Sequence, residues 1–304
     1  MAKNNAVPAG TKVKMGTGDK IFTAVNVIIM IFICLIIVYP LYYVVLASIT
    51  DPVIVSSGKL LLYPESVYLE GYKTTLGYKP LWVGYWNTIR YTVVGTIVSL
   101  ICTIPAGYAL SRKDLFGRKP IMFLFTFTMF FSGGIVPLFL TVKNLHIYNT
   151  IWAMVLPVAV SAYNLIVCRS FFESGVPDEL LEAAQLDGCS DFGFFFRIAI
   201  PISSTIIAVM TLFYATAMWN QFFNALMFLQ DEDMMPLQVV LRNLVLMNQS
   251  NQMGSSAAEA VMKQKLADQL KYCVVVVSAF PLLCVYPFVQ KYFAKGVTIG
   301  AVKG

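Results

Sequence analysis

Residues 21–50 read IFTAVNVIIMIFICLIIVYPLYYVVLASIT, 30 consecutive positions without a charged side chain. A helix rises about 1.5 Å per residue and the hydrocarbon core of a bilayer is about 30 Å thick, so about 20 apolar residues suffice to cross it. A signal peptide has an apolar stretch of only about 7–15 residues, followed by a small-residue cleavage site. Here the run is far longer, and Tyr39, Pro40, Leu41, Tyr42 and Tyr43 stand where cleavage would fall. The first helix is therefore expected to stay in the mature chain.

Outward from this stretch, charge-free runs recur at 91–111 (21 residues), 120–142 (23), 144–168 (25), 198–230 (33) and 272–290 (19). Across 304 residues, 58% are hydrophobic and only 12% charged, about half the charged share of an ordinary soluble domain. This composition excludes a water-surrounded globule. It predicts an all-α, polytopic membrane protein with six transmembrane helices over 21–292, flanked by tails at 1–20 and 293–304.

The net charge of +6 points to a membrane rather than to nucleic acid because of where it lies. With the N-terminus inside, Lys3, Lys12, Lys14, Lys20, Arg112, Lys113, Arg118, Lys119, Arg169, Arg197, Lys291, Lys295 and Lys303 fall on the cytoplasmic side, 13 of the 22 Lys and Arg. Short cytoplasmic loops retain positive charge, and an even number of spans returns both termini, and so both tails, to that side. Cys34, Cys102, Cys168, Cys189, Cys273 and Cys284 include no CxxC pair, and His146 is the single histidine. Neither a disulfide framework nor a metal site is expected.

The eight residues 112–119 make the second and third helices antiparallel neighbours. The connection 51–90 is long enough for a small cap or short helix, with Gly58, Pro64 and Gly71 as breakers, and 231–271 is expected to carry a helix over 257–270. Within the spans, Asn26, Pro40, Pro105, Gly107, Gly133, Gly134, Pro137 and Pro157 are compatible with close helix contact and with bundles that satisfy freed carbonyls. No acid or base falls at the middle of any run, which speaks against proton relays and ion-coupled transport.

The connection 169–197 is different. It holds Glu173, Asp178, Glu179, Glu182, Asp187 and Asp191, six of the chain's 16 acids. Residues 178–187 are rich in helix formers, and Gly188 offers the positive φ with which helices commonly end. Asp191 then suits the N-cap or first turn of a second helix through Phe192, Phe194, Phe195, Phe196 and Ile198. The aromatic side of this helix–turn–helix needs a partner, and its acids suit basic groups.

Glu182-Ala183-Ala184, then Gly188, Ile198, Ile200 and Pro201 at their spacing resemble the EAA loop of bacterial ABC importer permeases, with Ile200 where leucine is usual. The resemblance covers nearly the whole chain and is to sugar-importer permeases of the maltose-transporter type. It includes Gly107-Tyr108-Ala109-Leu110-Ser111-Arg112, Val136-Pro137-Leu138-Phe139, Asn149-Thr150, Trp219-Asn220-Gln221-Phe222, Gln290-Lys291-Tyr292-Phe293 and the glycine-bearing ending 296–304. What it implies is the type I ABC importer permease fold in a bacterial cell membrane. A second homologous permease would complete the path, two ABC ATPase subunits would bind below, and an extracellular solute-binding protein would deliver a sugar or oligosaccharide. Residues 169–200 would be the cytoplasmic coupling loop, with Glu182, Ala183, Ala184, Asp187 and Gly188 at the ATPase contact.

The chain carries no GxxxxGK[ST] sequence to cradle phosphates, and no nucleophile elbow or paired catalytic groups. ATP and Mg would be used by the partner subunits, and this chain is expected to be a transport subunit rather than an enzyme. Candidates for sugar contact are Trp219, Asn220, Phe223 and Asn224 in the fifth span and Tyr163 and Asn164 in the fourth, where aromatic faces and amides suit C–H patches and hydroxyls. Helix packing or interfacial anchoring is an equal reading for these residues. A permease for a non-sugar solute, or a membrane scaffold without transport activity, remain the alternatives on sequence alone.

Overall fold

The computed structural model describes residues 16–58, 62–64, 66–250, 264–284 and 287. The tails expected beyond Gly16 and in 293–304, the ending 296–304, and the end of the last expected span lie largely or wholly outside the described residues. So does the first half of the helix expected over 257–270.

Helix α1 (Thr17–Ile49) is 33 residues long, about 50 Å at helical rise. Every residue from Gly16 to Tyr42 is exposed, and only Leu46, Ala47 and Ser48 are buried. A short antiparallel bridge, Thr50 to Val67, follows it, around the one-turn helix α2 (Pro52–Ser56). Helix α3 (Glu70–Gly77) contains Gly71, so that glycine does not break the connection as expected. It permits a close approach instead: a Cβ there would lie 2.7 Å from Gln269 Oε1.

Helix α4 (Lys79–Ser111) begins twelve residues before its charge-free run. Leu81, Gly84, Thr88, Tyr91, Gly95 and Ser99 are all buried, a stripe at helical spacing, while Arg90 on the same helix is exposed. The connection expected over 51–90 therefore ends at Tyr78. Charge alone hid the helix start, because the outward-pointing Arg90 interrupts the charge-free run but not the buried face.

Three expected spans are bent. Helices α5 (Arg118–Phe130) and α6 (Ile135–Asn144) meet at 118° around Gly134, whose φ is +84. Thirteen residues of α5 reach only about 20 Å, short of a full crossing. Helix α7 (Ile151–Val155) runs through a 3₁₀ turn at Pro157, and α8 (Ala162–Gly175) restarts at 53° to it. Helix α9 (Asp178–Leu186) is followed by α10 (Asp191–Phe194), a π turn over Phe195–Ala199 and α11 (Ile200–Ile202). Helix α12 (Ser204–Trp219) then departs at 79°.

The run 198–230 is thus not one rod, and α13 (Phe223–Phe228) and α14 (Leu237–Ser250) follow separately. Helix α15 (Gln264–Cys284) is already helical at the first described residue of this region, eight residues ahead of its charge-free run. Among the described residues, it makes with α1 and α4 three helices long and apolar enough to cross a membrane, or up to six spans if each bent pair is one.

The interior forms where α8, α12 and α14 pack on α4. Gly107 lets α8 approach so closely that a Cβ would sit 2.7 Å from Cys168 Sγ and 3.3 Å from the Arg169 amide nitrogen. Small residues at helix contacts serve the same end throughout membrane bundles.

Candidate functional site

Two regions lie at opposite ends of α12, about 24 Å apart at helical rise. The first is the 178–200 segment. Helix α9 starts with Asp178 and Glu179 in its first turn, where carboxylates suit the positive helix end. It ends in a paired closure: Gly188 donates its amide to Gln185 O (3.0 Å) and Cys189 to Ala184 O (2.8 Å), with Gly188 at φ +79. Both bonds satisfy carbonyls that a helix end leaves open. Ser190, not Asp191, is the N-cap of α10, its hydroxyl accepting from the Gly193 amide at 3.2 Å, and Asp191 occupies the first turn. Gln185 Nε2 donates to Asp191 Oδ1 at 3.2 Å, so the two helices are tied across the turn.

Part of the aromatic side finds its partner within the chain. Phe194 and Phe195 are buried with Tyr108 of α4, Phe172 of α8 and Tyr214 of α12, and Tyr108 lies 4.9 Å from Phe195 and 5.5 Å from Phe172 by ring centroids. Leu181 and Ala184 point into the same cluster. The segment is thereby packed on three long helices at once.

Charges add a second anchor. Arg112 donates to Asp178 Oδ1 at 3.0 Å and Lys113 to Oδ2 at 2.9 Å. Glu173 accepts from Arg169 at 2.8 Å and from Arg118, and Arg169 also donates to Leu110 O at 3.1 Å. The Lys113 ammonium, hydrogen-bonded to the Asp178 carboxylate and joined by Arg112, holds that carboxyl below the usual carboxylate range. These pairs fasten the basic connection 112–119 to the acidic one.

Of the expected ATPase-contact residues, Ala184 faces inward, while Glu182, Ala183, Asp187 and Gly188 are exposed. Beside them Leu186 is 89% and Phe192 79% exposed, large apolar groups on an outward surface. A groove of about 580 Å³ runs alongside, lined in part by Pro105, Tyr108, Phe116, Leu181, Phe192 and Phe196. Sequence reading missed Asp178, Glu173 and Tyr108 as anchors. Both charged connections were visible, but their pairing depends on the fold of residues 65 apart.

The second region is the 219–224 motif. Trp219 is buried among Leu81, Leu237, Leu241 and Val277. Asn220 caps α12, its Nδ2 donating to Thr216 O at 2.9 Å, and is exposed. Phe223 is exposed and Asn224 half-buried. Two buried polar atoms here, Trp219 Nε1 and Gln221 Oε1, have no hydrogen-bond partner among the described residues. Tyr163 is exposed and Asn164 buried at the start of α8, where the Asn164 amide donates to Ser161 Oγ. Among the described residues, no hydrogen bond joins these two to the 219–224 motif.

This end of the molecule is held by polar anchors to which the sequence assigned no role. Asn149, at φ +57, accepts from the amides of Gln230 and Asp231 at 2.9 and 3.2 Å. Asn87 donates to Asp233 O and Met235 O. Gln269, 1% exposed, accepts from the Gly71 amide at 2.7 Å and donates to Ser48 O at 3.0 Å and to Tyr68 O. His146 is exposed at φ +56 beyond the end of α6. Among the described residues no cluster of His, Cys, Asp or Glu is arranged to hold a metal ion.

Residues 6–299 match the family described as the binding-protein-dependent transport system inner membrane component. The chain is 41% identical over 279 residues to the polygalacturonan/rhamnogalacturonan transport system permease protein YtcP of Bacillus subtilis, covering 90% of this chain and 96% of that one. It is 29% identical over 278 residues to the arabinooligosaccharides transport system permease protein AraQ of Halalkalibacterium halodurans, covering 90% and 94%. In three dimensions it matches a chain in the crystal structure of a bacterial ABC transporter involved in the import of the acidic polysaccharide alginate. The TM-score is 0.79 and the identity 32%, over 92% of this chain and 99% of that one. The chain belongs to the family of binding-protein-dependent transport system inner membrane components, with the type I ABC importer permease fold and homology to permease subunits of carbohydrate importers.

Proposed function

We propose that this chain is one permease subunit of an ATP-driven importer of oligosaccharides, and that the oligosaccharides carry acidic sugars. The observation that carries this reading is end-to-end similarity to a permease named for polygalacturonan and rhamnogalacturonan, joined by a structural match to a transporter that imports alginate. In this reading a second permease completes the pathway, two ATPase subunits use ATP and Mg, and an extracellular solute-binding protein delivers the sugar. Residues 21–292 are the permease domain in the cell membrane, with both tails and the 169–200 loop in the cytoplasm. The exposed length of α1 and the outward face of α5, which buries no residue in this chain, then meet lipid or the second permease.

Glu182, Ala183, Asp187 and Gly188 form the contact with an ATPase subunit, and the inward-facing Ala184 seats that surface on the aromatic cluster. The support is mechanical: a short helix closed at Gly188, in a segment packed on α4, α8 and α12, transmits a push without bending. Along the pathway, Tyr163, Asn220, Phe223 and Asn224 offer aromatic and amide groups to the sugar, and Trp219 and Asn164 support them from beneath. The test is uptake of radiolabelled trigalacturonate by cells carrying the whole transporter. Uptake that disappears on deletion of this chain and returns with it is expected, and uptake indifferent to the deletion contradicts the reading.

A further inference from the structure

Helix α14 lies on the 219–224 motif. Leu237 and Leu241 pack against Trp219, and Val239 joins Ala225 and Leu229 in a cluster that includes Phe222. From the same helix, the Arg242 guanidinium carbon sits 5.7 Å from the centroid of the Phe222 ring. An aromatic face attracts a guanidinium and holds its plane while leaving the N–H fork able to bond a carboxylate in two places.

Arg242 is exposed, and none of the ion pairs among the described residues uses it. Next to Phe222 in sequence the motif carries Asn220, Gln221 and Asn224, and a buried donor at Trp219 Nε1 and a buried acceptor at Gln221 Oε1 lack partners among the described residues. Buried polar groups are ordinarily hydrogen-bonded, and each exception calls for a ligand, a water or another explanation. A sugar hydroxyl both donates and accepts, and so matches either kind of group. A neutral sugar gains only ordinary hydrogen bonds from a guanidinium, whereas a carboxylate gains charge-assisted, bidentate ones. The motif is the region proposed above to face the sugar, which puts Arg242 beside the translocation route.

We infer that Arg242, stacked on Phe222, binds the carboxylate of an acidic sugar on the translocation route and makes this subunit favour charged over neutral oligosaccharides. The inference rests on the acidic-oligosaccharide reading above. Phe222 acts through Arg242 as a positioning residue.

The test compares trigalacturonate with its methyl ester, which keeps the sugar and removes the charge. Uptake of both probes is measured in the complete transporter for wild type, Arg242→Gln and Arg242→Lys, with the amount of assembled complex determined in each preparation. Losing a charge-assisted hydrogen bond is expected to lower the acid-to-ester uptake ratio about tenfold in Arg242→Gln. Arg242→Lys, which keeps charge but loses the fork, should fall between the two. Ratios equal in all three proteins would overturn the assignment, including the case in which both probes decline together because the variant assembles poorly. If wild type imports neither probe, the acidic-sugar reading itself fails, and the inference with it. If wild type imports the ester in preference to the acid, only the selectivity assigned to Arg242 is contradicted.

Discussion

The two ends of α12 solve opposite problems. At the 178–200 segment polar groups are widely satisfied: the helix end closes on Gly188, Asp178 and Glu173 are paired with cations of the 112–119 connection and α8, and Phe194 and Phe195 are interred against Tyr108. At the 219–224 motif, sixteen residues of helix away, a buried donor and a buried acceptor stay open and an arginine stands over a ring without a carboxylate among the described residues. The difference teaches how one chain divides its labour. In the proposed function, the part that transmits force is built with few loose bonds, and the part that meets a changing solute keeps bonds to offer.

The largest effect should come from unpacking the first region. Phe194 is fully buried, and truncating such a ring costs about 3–5 kcal/mol in soluble cores. Phe194→Ala is expected to abolish co-purification of the ATPase while the protein still inserts. An undiminished ATPase yield in that variant would break the comparison at its stronger end. Gly188→Val comes next. A Cβ there meets no atom within 4 Å, so the cost is conformational, about 1–2 kcal/mol for an L-residue in the left-handed region and more for a β-branched one. Substrate-stimulated ATP hydrolysis should drop severalfold with membrane levels unchanged, and normal stimulation would mean that the turn is not needed.

At the other end, Asn220→Leu removes an exposed amide without emptying a packed site. Uptake should fall by about threefold, the scale of one modest hydrogen bond, while the ATPase still co-purifies. Loss of the ATPase together with uptake would show that the motif is structural after all.

Much of this division was legible beforehand. The helix ending at Gly188, the acid-rich connection and the bulk of the membrane runs follow from local propensity and composition. What escaped was set at a distance. Arg90 concealed the true start of α4 because a charge count ignores which way a side chain points. The glycines at 133 and 134 were read as close-contact residues, whereas they sit at a 118° turn between α5 and α6. Gln269 resembled any polar residue near a helix start, yet it joins the end of α1, Tyr68 and α3 in one buried node. Trp219 and Asn220 are neighbours in sequence, and only packing separates the buried one from the exposed one.

The smallest expected effect sharpens the account of the charged anchor. Asp178→Asn removes one carboxylate from a surface cluster, and such pairs contribute little each, so ATPase yield should fall by no more than about twofold. Because the folded carboxyl titrates below its ordinary value near 3.9, its contribution is fully present above that value and is lost as pH falls through the lower folded one. The difference between wild type and variant should therefore be constant from about pH 8 to pH 5 and should close only below about pH 4. A difference that vanishes near pH 6 would assign the effect to another group.

The comparison is tested most directly by photo-crosslinking within the assembled transporter, with a photoreactive amino acid placed at Leu186 in one preparation and at Phe223 in another. Both side chains are exposed, so neither replacement disturbs the interior. The account predicts an ATPase adduct from position 186 and none from position 223. An ATPase adduct from 223, or its absence from 186 in a complex that still hydrolyses ATP, would contradict the claim that the 178–200 segment is where the motor engages this subunit.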